Sequence, residues 1–251
     1  MSKVNAIVIK ALDVLDLLGQ SDGPLQLKDI AQTLDYPEST VHRLLASLAA
    51  KGYVRQSHYD GRYHLGWKLV TLARTLGDSS QLSQILRPHL QALLRQVNHS
   101  VNLGVLNDLD IIYLDSISPP NRLSMYNPPG SLAPAYATAI GKVQLSYLPE
   151  PELEALLPRL SLDAITPNTI TSIPELRLEL DQTRKRGYAL DKEEYFEGTQ
   201  CIAAPIKDAY GRAIAGVSIT VLSADLPPSW EDQYAPVLLA ACEQMECQLN
   251  G

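Results

Sequence analysis

A chain of 251 residues with 45% hydrophobic and 20% charged residues has the make-up of a globular protein of one large or two ordinary domains. Its net charge of −7 excludes a uniformly basic nucleic-acid binder, but the charge is uneven: residues 1–78 hold nine Lys+Arg against eight Asp+Glu, net +1, and the remainder carries −8. Three cysteines (Cys201, Cys242 and Cys247) without a CxxC spacing speak against a disulfide framework or a zinc site, so neither a metal nor a cofactor is expected.

The first element is a helix from about Val4, where Val4, Ile7, Val8, Ala11, Leu12, Val14, Leu15 and Leu18 recur at helical spacing with Lys10, Asp13 and Asp16 between them. That pattern is not a signal peptide, and no apolar run is long enough to cross a bilayer. A cytoplasmic protein with no membrane association is expected. Leu27, Ile30, Ala31 and Leu34 space a second helix, Asp35-Tyr36-Pro37 forms a turn, and Pro37 suits the first position of the next helix. That helix puts Val41, Leu44, Leu45 and Leu48 on one face and ends at Gly52.

Its other face carries Ser39, Thr40, His42, Arg43 and Ser47. Short hydroxyls beside one forked cation suit the major groove, where arginine holds guanine through two bonds and a helix N-terminus favours a phosphate. A hairpin follows, Tyr53–Gln56 and Arg62–Leu65 around Tyr59-Asp60-Gly61, bearing Arg55, His58 and Arg62. A two-helix corner alone occurs in many helical proteins. A corner with a polar outer face and a basic hairpin predicts a winged helix-turn-helix over residues 1–65 that reads duplex DNA.

A linker helix over 66–78 leads to a boundary at Gly77-Asp78-Ser79-Ser80. A helix over Gln81–Asn98 should bend or break at Pro88. Strands at Val101–Leu106 and Ile111–Ile117 form a hairpin through Asn107–Asp110, and Arg122–Tyr126 reads as a third strand. Helices follow at Thr138–Tyr147, Pro151–Leu157 and Pro174–Arg186, the last stopped by Gly187. Cys201–Ile206 and Ala213–Leu222 read as strands and Ser229–Leu249 as a closing helix. Residues 79–251 thus form a sensor-like domain, and the fold class is α+β.

Several segments together resemble the IclR family of bacterial transcriptional regulators. They are Ala11–Leu15, Ser39–Leu45, Gly52-Tyr53-Val54, Val101–Val105, Thr138–Lys142, Arg186-Gly187-Tyr188 and Gly198–Ile206, in the family's order along nearly the whole chain. The resemblance implies a winged helix-turn-helix, a linker helix and a GAF-like effector-binding domain that also assembles the oligomer. It implies a homodimer or dimer of dimers on palindromic double-stranded operator DNA, responding to a small organic acid such as a sugar acid, a glyoxylate-like acid or an aromatic acid. It also assigns Met125, Ala139, Ile140, Gly141, Asp191, Thr199, Cys201, Ser218 and Thr220 to an effector pocket.

Two residues apart in one strand, Ser218 and Thr220 face the same side, and with backbone N–H groups near Ala139–Gly141 they can hold a carboxylate without a lysine. Ordinary solvent-facing strand residues are the plainer alternative for Ser218 and Thr220, and a turn cap for Asp191. Lys142 reads as structural or surface. The expected function is repression of a catabolic operon, relieved by the acid; an activator of the same architecture is the alternative. No GxSxG, HExxH, Walker or GxGxxG motif is present, so no catalytic residue is expected. A cysteine-dependent enzyme built on Cys201 is the remote rival.

Overall fold

The computed structural model describes residues 5–73, 77–120 and 125–250, with nothing said of side chains at 77–80. The chain divides into two compact units, Met1–Gly77 and Asp78–Gly251.

The first unit holds helices α1 (Ala6–Gln20), α2 (Leu27–Leu34) and α3 (Glu38–Ala50), the hairpin β1 (Val54–Gln56) and β2 (Tyr63–Leu65), and helix α4 (Lys68–Ala73). Val14, Ile30, Val41, Leu45 and Val54 are almost wholly buried and form one core, as the helical spacing requires. Asp35 takes the left-handed conformation that ends α2. Pro37 is the N-cap of α3 rather than its first residue, with an extended ψ of 135°. Tyr36 ties the turn to α1 through its hydroxyl, 2.5 Å from Asp13 Oδ2. Helix α4 covers residues 68–73 of the stretch read as a linker helix; residues 74–76 lie outside the described residues, and 77–78 belong to the next helix.

The second unit begins inside helix α5 (Gly77–Val97), so the polar boundary stretch 77–80 is helical, and Pro88 sits within the helix without breaking it. Strands β3 (Ser100–Asn107), β4 (Asp110–Ile117) and β5 (Leu132–Pro134) precede helices α6 (Ala139–Ser146), α7 (Glu150–Leu156) and α8 (Ile173–Arg186). Strands β6 (Ala189–Lys192), β7 (Thr199–Lys207) and β8 (Ala213–Leu222) and helix α9 (Trp230–Asn250) complete the unit. The six strands form one antiparallel sheet in the order β5-β4-β3-β8-β7-β6.

Two of these strands escape a reading by periodicity. β5 has three residues and ends in Pro134, which an edge strand tolerates, and β6 has only four. The expected strand at Arg122–Tyr126 falls largely on residues 122–124, outside the described residues, and Met125 and Tyr126 belong to no strand.

Strand alternation divides the core in two. Val217, Ile219 and Val221 face a cluster with Leu86, Leu90 and Leu238 of α5 and α9. The opposite face packs under α6 and α8, around Ile140, Val143, Leu176 and Leu180. Helix α6 lies close on the sheet because Gly104 and Gly216 are register partners beneath it; a Cβ on either would meet Ile140 Cγ2, at 3.2 and 3.1 Å. This antiparallel sheet with helices on both faces is the expected GAF-like α+β domain.

Candidate functional site

In the first unit, Val41, Leu44 and Leu45 turn α3 inward, which leaves Ser39, His42, Arg43 and Ser47 exposed and Thr40 half-buried. Arg43 has no ion-pair partner among the described residues, so its guanidinium is available to an outside acceptor. Ser47 is less available, because its hydroxyl donates to the Arg43 carbonyl at 2.8 Å. The N-terminus of α3 already carries Glu38 in its first turn, and that carboxylate disfavours the phosphate the helix end would otherwise attract.

The hairpin pairs Arg55 with His64 and is closed by Gly61 at φ 71°. Arg55 places its guanidinium 5.5 Å from the Trp67 ring centroid. Arg62 is engaged within the hairpin, with Nε 3.8 Å from Asp60 and Nη1 donating to the Pro24 carbonyl at 3.4 Å. His58 and Tyr59 are exposed near the tip.

In the second unit a cavity opens between the sheet and the start of α6. Eight of the nine residues expected there line it: Met125, Ala139, Ile140, Asp191, Thr199, Cys201, Ser218 and Thr220. Gly141 does not. A Cβ at Gly141 would meet the Ala135 carbonyl oxygen at 2.1 Å, so its glycine serves the close approach of α6 to that segment. The Gly141 N–H is capped by Thr138 Oγ1 at 3.2 Å. The N–H groups of Ala139 and Ile140, ahead of it in the first turn, have no acceptor among the described residues.

Tyr113, Asn127, Thr138, Tyr195 and Phe196 also line the cavity, and sequence reasoning missed them. Only Thr138 carried a signal, as the hydroxyl N-cap before a helix. Tyr195 and Phe196 sit in an aperiodic connection, and Tyr113 reads as any core strand aromatic.

Sheet register explains why the polar residues meet. Asp191 on β6 pairs with Cys201 on β7, which pairs with Thr220 on β8, so one row of side chains crosses three strands on the α6 face. Ser218 and Thr220 are buried within the chain, not solvent-facing. Asp191 Oδ1 accepts the Glu194 N–H at 2.8 Å, so the turn-cap reading holds as well.

Burial pushes the Asp191 carboxyl up to about 7, against the opposing effect of that N–H and of Lys142. Lys142 is fully buried behind the cavity, with Nζ 2.5 and 2.6 Å from the two carboxylate oxygens of Glu194. Among the described residues, then, the lining contains no cation and one carboxyl, with hydroxyls, a thiol and two helix N–H groups. Burial, followed by the neighbouring Asp191, holds the Cys201 thiol well above its ordinary range, which keeps it protonated and makes it a lining group rather than a nucleophile.

A helix-turn-helix with a wing, on a chain that also carries a GAF-like domain with a small polar cavity, defines a DNA-binding regulator of transcription. A family model described as IclR helix-turn-helix domain matches residues 8–58, and one described as Bacterial transcriptional regulator IclR C-terminal matches residues 75–247. The chain belongs to the IclR family of transcriptional regulators. It is 36% identical to the HTH-type transcriptional regulator XynR of Escherichia coli (strain K12), over 86% of each chain. It is 34% identical to the Acetate operon repressor of Salmonella typhimurium (strain LT2), over 96% of this chain and 89% of that one. Its fold matches an IclR homolog complexed with 4-hydroxybenzoate from Microbacterium hydrocarbonoxydans, at a TM-score of 0.83, 23% identity and coverage of 97% and 99%. The family is one of DNA-binding regulators, not enzymes.

Proposed function

We propose that this regulator represses a catabolic operon and releases its operator when the cavity in the second unit takes up a small organic acid. The observation that carries the reading is the lining: the hydroxyls of Ser218 and Thr220 with the open N–H groups of Ala139 and Ile140, while the Thr138 and Thr199 hydroxyls already donate to the Pro134 and Phe196 carbonyls. Such donors hold a carboxylate without a lysine, and a helix N-terminus favours its charge. The Microbacterium homolog's complex with an aromatic acid supports the ligand class. The unfilled space is about 390 Å³ out to the open mouth but leaves only about 20 Å³ for the centre of a water molecule, so the acid is small or displaces wall side chains such as Phe196.

The DNA-reading set is Ser39, Thr40, His42 and Arg43 on α3, with Ser47 in a minor part, and Arg55, His58 and Arg62 on the wing. Two copies bind a palindromic operator, as a homodimer or a dimer of dimers. Exposed Ile7, Val8 and Leu12 on α1, and Trp67 and Val70 at α4, supply apolar surface for pairing. An acid can change DNA affinity only by preferring one arrangement of the paired units.

The test is a thermal-shift screen with glyoxylate, gluconate and 4-hydroxybenzoate, followed by gel shift on DNA flanking the protein's own gene. A stabilising acid that releases DNA bears the proposal out. If no acid stabilises the protein, or DNA is held equally with and without it, the reading fails.

A further inference from the structure

We infer that Asn102, a residue outside the cavity lining, is a positioning residue that directs the hydroxyl hydrogens of Ser218 and Thr220 into the cavity and so makes it select a carboxylate over a neutral group. The inference rests on the acid-effector reading above and adds the device that gives the hydroxyls their direction.

A hydroxyl both donates and accepts, so Ser218 and Thr220 by themselves favour neither an anion nor a hydrogen-bond donor. The choice is made by what lies behind them. Asn102 is 1% exposed, in the middle of the sheet, opposite Ser116 on β4 and opposite Ser218 on β8. Its Nδ2 donates to Ser218 Oγ at 3.2 Å and to Thr220 Oγ1 at 3.1 Å. Both amide hydrogens are thereby used on the two hydroxyl oxygens.

The orientation of the Asn102 amide matches the groups on its β4 side, which include one that can only donate. The backbone N–H of Asn127 donates to Ser116 Oγ at 3.4 Å. Ser116 then gives its own hydrogen to Asn102 Oδ1, at 2.7 Å. Asn127 Nδ2 is a second donor to that oxygen, at 3.4 Å. With Oδ1 turned to the donors on the β4 side, the NH₂ group faces Ser218 and Thr220. Thr220 Oγ1 also lies 3.2 Å from Cys201 Sγ, a contact in which either atom can donate. Each hydroxyl oxygen is therefore met from behind by an Asn102 N–H, which turns its hydrogen away from the sheet, toward the cavity both residues line. The hydrogen-bond chain from the Asn127 N–H through Ser116 and Asn102 thus gives the two cavity hydroxyls their direction.

The experiment uses the full chain and three acid–amide pairs: glyoxylate and glyoxylamide, gluconate and gluconamide, 4-hydroxybenzoate and 4-hydroxybenzamide. Calorimetry measures the ratio of acid to amide affinity for the native protein, for Asn102→Leu and for Ser116→Ala. Hydrogen bonds to a charged group set the expected scale, roughly tenfold to a hundredfold in favour of the acid. Asn102→Leu should bring the ratio close to one, mainly by weakening the acid. Ser116→Ala, a milder change in case the first variant folds poorly, should lower the ratio in the same direction by a smaller factor. A role in folding alone would weaken acid and amide together and leave the ratio unchanged, and that result would overturn the inference while sparing the acid-effector reading. Failure of all three acids to bind the native protein would remove both.

Discussion

Lys142 and Glu194 form a buried ion pair behind the cavity, with Nζ 2.5 Å from Oε1 and neither side chain more than a tenth exposed. Lys142 stands in the second turn of α6, whose first turn lines the cavity. Glu194 precedes Tyr195 and Phe196, two residues of the opposite wall, and its N–H holds Asp191. Removing one partner leaves a charge buried without compensation, at a cost of about 3–5 kcal/mol. Lys142→Met should therefore destabilise the second unit by that order in denaturant unfolding. Lys142→Met with Glu194→Leu should recover most of the loss, since an apolar pair leaves no orphan charge. Additive losses in the double variant would count against this account.

Asp191 carries a pH dependence whose sign can be worked out. Folded, it holds its proton up to about pH 7, whereas unfolded it has the ordinary value of 3.8. Between those limits the native state binds more protons than the unfolded state, so its contribution to stability falls as pH rises from about 4 to about 7 and is level above. The slope is at most ~1.4 kcal/mol per pH unit. Asp191→Asn removes it, so the variant should gain stability over the native chain at pH 8 relative to pH 4. Parallel curves for the two proteins would show that Asp191 titrates normally.

On the DNA side, Arg43 and Arg62 should separate. Arg43→Ala should weaken operator binding by ~1–3 kcal/mol if the guanidinium holds a base through two bonds. Arg62→Ala should cost less, because that cation is shared with Asp60 and the Pro24 carbonyl. Gel-shift titration at fixed salt measures both, and equal losses would contradict the ranking.

The glycines near α6 should also separate. Gly141→Ala places a methyl within 2.1 Å of a backbone oxygen and should cost more than about 3 kcal/mol, or block folding. Gly216→Ala meets only side-chain atoms, from 3.1 Å outward, and should cost clearly less. Thermal unfolding of the two variants makes the comparison.

Both candidate functional regions were partly legible in the sequence. The face of α3 followed from Val41, Leu44 and Leu45, because a helix that buries those positions must expose Ser39, His42, Arg43 and Ser47. Eight cavity residues came from resemblance to the family. The alternation of β8 said that Ser218 and Thr220 share a side, but not which side is buried.

Periodicity is a local property, and it determined the long elements. It could not reveal β5 or β6, each shorter than a few repeats of the strand period. Nor could it show that Pro37 caps α3 from outside, or that Arg62 is occupied by its own hairpin. The row from Asp191 through Cys201 to Thr220, the burial of Lys142 against Glu194, and the placing of Asn102 between Ser116 and Ser218 all depend on strand register and on α6 lying over two paired glycines. Those are contacts between residues far apart in the chain. The polar side chains that line the cavity and stand behind it are set by which strands are neighbours, and only the tertiary structure decides that.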